Sequence, residues 1–147
     1  AGVGYGVGAA ADEQAQREAE LNAMLSNVRG ELQQAMAARD AAQRVADGHR
    51  TALQALQQQH AQGQASRKQL DDAVARARAD QLQMEKAQRR LEASIAVVNQ
   101  EVSKRQAQGE QVPEEMKTLL TELQGEKSKL ESLLSVLAGD IATAQPA

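Results

Sequence analysis

His49 and His60 are the only histidines in this chain. Eleven residues apart, they stand about three helical turns from one another and cannot hold one metal ion on a single straight helix. Two chains side by side could stack them into a titrating layer, which is a packing device and not a metal centre. The carboxylate pairs Glu114/Glu115 and Asp71/Asp72 are adjacent in sequence. On a helix such neighbours diverge, so they serve as capping and solvated charge rather than as an acid/base pair. There is no cysteine, hence no thiolate nucleophile, no disulfide and no cysteine-bound zinc. The glycines from Gly2 to Gly8 precede no Lys-Ser/Thr and so do not form a phosphate loop. Arg76, Arg78, Arg89 and Arg90 could touch phosphate, but acidic residues are interleaved with them and Tyr5 is the only aromatic. That argues against nucleic acid. The expectation is a non-enzymatic protein with no catalytic residue, metal, cofactor or small-molecule substrate.

What elements would carry these residues? Ala, Gln, Glu, Arg and Leu dominate, there is no Phe or Trp, and alanine inflates an apolar fraction of 41%. This is the usage of long helices and coiled coils. Such a core buries little area per residue, so stability must come from many shallow contacts. A net charge of −3 is mild and selects no strongly charged partner.

One register runs along the chain from Leu21. Steps of four then three visit Leu21, Leu25, Val28, Leu32, Ala35, Arg39, Ala42, Ala46, His49, Leu53, Leu56, His60, Gly63, Arg67, Leu70, Val74, Ala77, Gln81, Met84, Gln88, Leu91, Ile95, Val98 and Val102. The same phase lands on Val112, Met116, Leu119, Leu123, Leu130, Leu133 and Leu137. A sustained period of 3.5 marks a coiled-coil seam. The seam is leucine- and valine-rich at both ends and small or polar between Ala35 and Arg67. Arg39, His49, His60 and Arg67 occupy seam positions, where a polar residue fixes register or oligomer state at a cost in stability, unless that stretch is half-exposed.

The segment Gly109–Glu115 predicts a turn. Gly109 suits the left-handed position after a helix, and Pro113 followed by Glu114 and Glu115 is a first-turn signature. The two flanks mirror each other: Leu91, Ile95, Val98 and Val102 before the turn face Met116, Leu119, Leu123, Leu130, Leu133 and Leu137 after it. Residues 66–108 carry nine basic against six acidic side chains, residues 109–147 three lysines against seven carboxylates. A basic arm against an acidic arm favours an antiparallel hairpin, although each exposed pair contributes little.

Two weak points interrupt the long helix upstream. Asp47-Gly48 has no stop signal after it, whereas Gly63 is followed by Ser66-Arg67-Lys68-Gln69, which could be a capping box. The unbroken heptad phase favours one helix over 12–108, about 145 Å long at 1.5 Å per residue. The predicted fold is therefore all-α, an elongated coiled coil with a C-terminal antiparallel hairpin. The alternative is a bundle of three helices, 12–62, 66–108 and 113–138. Gly139 is expected to end the last helix and leave 139–147 as a tail.

Residues 1–11 contain no charge, with glycine at every second position from Gly2 to Gly8. Extended, Val3, Tyr5 and Val7 would share one face and Gly4 and Gly6 would leave the other bare; as a helix, Gly4 and Gly8 would form a small-residue surface. Either form suits an assembly contact. A first residue of Ala1 suits leader cleavage, and a membrane anchor would have to lie upstream of it.

The functional expectation is a structural protein: a secreted subunit, extracellular or periplasmic, that self-associates into a cell-surface fibre or filament. An alternative is a membrane-tethered periplasmic linker or adaptor. That layout resembles in outline the inner-membrane spanins of phage lysis systems. A third is a helical binding module using the apolar face around Leu119, Leu120 and Leu134.

Overall fold

Two glycines with left-handed backbone, Gly63 at φ +76° and Gly109 at φ +71°, mark the places where the helix stops. In the computed structural model, which describes residues 2–145 and side chains from Ala10 onward, α1 spans Gly2–Ala61, α2 Arg67–Ala107 and α3 Glu114–Ala144. The protein is all-α, three helices forming a bundle, with α2 and α3 joined as the hairpin expected around 109–113.

The first turn corrects the expectation of one helix through Gly63. Gln64 N and Ala65 N both donate to Gln59 O, at 2.7 and 3.2 Å, which occupies a carbonyl that would otherwise be orphaned at the end of α1. Ser66 then caps α2 from extended geometry (φ −77°, ψ 159°). Its Oγ accepts from Gln69 N at 3.2 Å, and Gln69 Oε1 accepts from Ser66 N at 2.8 Å. This is the full reciprocal capping box, so stopping here leaves few backbone groups unsatisfied.

At the second turn Glu110 N donates to Arg105 O at 2.9 Å. Pro113 is the residue before α3, with no side-chain cap, and Glu114 and Glu115 occupy the first turn beside the positive helix end. At the other end of α3, Gly139 does not terminate the helix, which continues to Ala144. An interior glycine costs about 1 kcal/mol. Burial of Ile141 and Ala144 in the core offsets that, and a segment expected to be a tail becomes structural.

Long-range polar pairs give the topology. Arg29–Glu115, Arg39–Glu126 and Gln57–Thr143 O join α1 to α3 at separations of 86, 87 and 86 residues, a constant offset that makes these helices parallel. Gln88–Glu131 and Glu92–Lys127 join α2 to α3 antiparallel. The order is up-down-up, with every pair of helices packed together.

The core lies on the heptad frame. Continued through both turns, the 4–3 count reaches Glu126 and Ala144, and it includes every buried residue among those described except Ala65, Ala73 and Ile141. Two apolar clusters result. One joins Leu25, Val28 and Leu32 to Leu91, Ile95 and Val98 and to Met116, Leu119 and Leu123. The other is built around Leu53, Val74, Ala77, Met84, Leu130 and Leu137.

Candidate functional site

Between the two clusters the frame carries one polar residue per helix: Arg39 on α1, Gln88 on α2 and Glu126 on α3. Glu126 is the buried charged residue among those described, 7% exposed. Arg39 Nε donates to its Oε2 at 2.5 Å, and Lys129 Nζ lies 3.6 Å from Oε1. Arg39 Nη1 also reaches Asp40 Oδ1 at 2.9 Å. Hydrogen bonding to Glu126 pushes the Arg39 guanidinium above its ordinary range and keeps it charged. The geometry is a desolvated, multiply contacted carboxylate holding α3 to α1 at a single level, an arrangement suited to fixing register.

Beside this waist α1 and α2 enclose a cleft of about 370 Å³. Its floor is Ala35, Ala38, Ala87 and Leu91, where small side chains leave space. At its edge Arg90 donates from Nε and Nη2 to the two carboxylate oxygens of Glu31, at 3.2 and 3.1 Å, and Ser94 Oγ donates to Glu31 at 3.2 Å. The hydrogen bond from Arg90, reinforced by that from Ser94, holds the Glu31 carboxyl below its usual range. A third tie, Arg29 to Glu115, lowers Glu115 in the same way and sits at the first turn of α3.

The polar seam residues expected from sequence separate into two kinds. Arg39 pairs with Glu126, and His49 Nε2 contacts Asp80 Oδ2 across α1 and α2 at 2.6 Å, with the histidine 17% exposed. His60 is half-buried at the last turn of α1, and Arg67 is exposed and paired only with Asp71 on its own helix, at 3.0 Å. Both lie beside the Gly63 turn, where no third helix covers them as a seam. The hairpin residues Leu91, Ile95, Val98, Met116, Leu119, Leu123, Leu130, Leu133 and Leu137 are buried, and Val102 packs partly against them. Of the face around Leu119, Leu120 and Leu134, Leu119 is buried in the bundle, and Leu120 and Leu134 pack against it partly buried.

Sequence reasoning missed two residues that the same count reaches. Three steps beyond Leu123 lies Glu126; three beyond Val102 lies Arg105, 16% exposed and bound to Glu101 at 3.1 Å and Glu110 at 3.4 Å. Both lie past Val102, where the sequence reading keeps only the apolar positions of the frame.

The N-terminal part of α1 outlasts its neighbours. Residues 10–20 are exposed throughout, and Arg17 makes a last tie to Glu110 in the α2–α3 turn at 3.7 Å. Helical backbone continues back to Gly2, so the extended form of the glycine segment does not occur; the side chains of Val3, Gly4, Tyr5, Gly6 and Val7 lie outside the described residues. Among the described residues no cluster of metal-ligating side chains occurs and no helix is long and apolar enough to cross a membrane. Comparison with family models, with curated proteins and with solved structures finds no match to this chain.

Proposed function

We propose that this protein is a non-enzymatic structural subunit, a helical strut that associates with copies of itself through the projecting N-terminal end of α1. The observation that carries the reading is the length of α1, 60 residues against 41 for α2 and 31 for α3. Its first part continues as helix past the ends of its neighbours, exposed over residues 10–20, with Arg17 tied to Glu110. An isolated helical end of this length is marginal in water and gains most from packing against another surface. The apolar frame residues pack within the bundle, and the proposed subunit contact lies at the chain end instead. Extracellular or periplasmic placement belongs to the same proposal.

The test is negative-stain electron microscopy of the intact protein beside a variant lacking residues 1–11. Long regular assemblies from the intact chain and isolated rods of about 75 Å from the truncation, the length of what remains of α1 at 1.5 Å per residue, are the expected result. Short rods in both samples overturn the proposal.

A further inference from the structure

We propose that two copies of this chain exchange α1, with Gln62–Ser66 as the hinge. In the exchanged form α1 and α2 become one continuous helix, and each α1 packs on α2 and α3 of the other copy. The heptad count passes through this hinge unbroken. A hairpin requires that two apolar faces meet; it places no demand on the number of residues through the turn. Yet the frame that buries Leu53 on α1 reaches Leu70, Val74 and Ala77 on α2 without losing a step. A turn one residue shorter or longer would close equally well and would break that phase. Straightened through residues 62–66, the chain therefore presents one uninterrupted seam, and every contact α1 makes in the bundle can be remade with a second copy.

The two turns differ in what they permit. Pro113 bars α2 and α3 from merging, because an interior proline removes a helix hydrogen bond and clashes with the preceding turn. Residues 62–66 contain no proline, and Gly63 and Ala65 are small enough for two hinge segments to cross closely. Closure of the single chain rests on Gly63 at φ +76°, with open space around its Cα, and on the Ser66–Gln69 capping box. Intramolecular packing favours the closed form at low concentration, and exchange grows with concentration.

Two substitutions move the equilibrium in opposite directions. Gly63→Ala strains the closed turn and favours helix, and it should tighten dimerisation at least about tenfold. Arg67→Pro places proline at the first position of α2, where its missing N–H is harmless and where it favours the extended geometry Ser66 already has. It therefore leaves the bundle intact and forbids the continuous helix. Because the chain lacks cysteine, Arg29→Cys with Glu115→Cys reports directly on which α3 each α1 touches.

The full-length double-cysteine protein is refolded at low and high concentration, cross-linked with a short bis-maleimide and run on a denaturing gel. Circular dichroism confirms equal helix content in all variants. Covalent dimers that increase with concentration, rise further with Gly63→Ala and vanish with Arg67→Pro are expected. Cross-links confined to single chains in every variant, or dimers that persist with Arg67→Pro, overturn the exchange. Association through the N-terminal end leaves the cross-link within one chain, so the two forms of self-association are separated by the same gel.

Discussion

Glu126 illustrates how one residue serves specificity at the expense of stability. Its carboxylate gives up water for Arg39, with Lys129 beside it, and the apolar clusters stop on either side of that pair. Sliding α3 along α1 by a heptad would bring Glu126 into an apolar layer and strand Arg39, so the pair opposes the misregistered bundle that a repetitive leucine seam would otherwise tolerate. Glu126→Ala should lower stability by about 1–3 kcal/mol, since it removes the acceptor and leaves a cavity. Glu126→Gln should cost less because the amide oxygen still accepts from Arg39. Replacing Arg39 and Glu126 together by leucine should restore the parent's stability or exceed it. Urea unfolding of the four proteins checks the order, and a double variant no more stable than Glu126→Ala would contradict it.

At the scale of the element, the last turns of α3 are the informative case. Gly139 and the small residues after it read locally as a helix end, yet Ile141 and Ala144 are 5% and 3% exposed. Both lie in the cluster that also contains Leu53 and Leu70, next to the first turn. A chain ending at Gly139 should lose about 2–3 kcal/mol, the burial of one large and one small side chain, and its urea midpoint should fall accordingly. An unchanged midpoint would mean that the final turn contributes nothing. The same contrast explains the two inter-helix turns: each is marked locally by a glycine, but only the second has a proline that enforces the break.

For the whole molecule, ion pairs tie each helix to the others, and this sets an acid response. Arg90 and Arg29 hold the Glu31 and Glu115 carboxyls below their ordinary value of 4.5. A carboxyl lowered in the folded state adds stability that is fully present above its unfolded pKa and is lost as pH falls through its folded pKa. The melting temperature should therefore be insensitive to these groups from pH 7 to about 5 and should decline below about 4.5. Both pairs are solvent-accessible, so the effect is modest and weakens with salt. Calorimetry between pH 7 and 3 checks it: a variant with Glu31→Gln and Glu115→Gln should show a shallower decline than the parent. Parallel curves would remove these pairs from the explanation.

Much of this molecule is determined by sequence alone. A period of 3.5 is a local property of residue spacing, and it picks out nearly every buried position, including Glu126 once polar residues are counted along with apolar ones. The Pro113 turn is equally local, because proline acts on its own backbone and that of its neighbour. Other features depended on the tertiary structure. Whether the chain bends at Gly63 depends on weighing one continuous helix against a third helix packed on the hairpin, a balance that spans the chain. Glu126 meets a partner 87 residues away, and α3 passes Gly139 because the far end of α1 and the near end of α2 offer it a place to bury Ile141. Spacing sets which side of each helix is apolar; only the assembled bundle decides which apolar sides meet and where each helix ends.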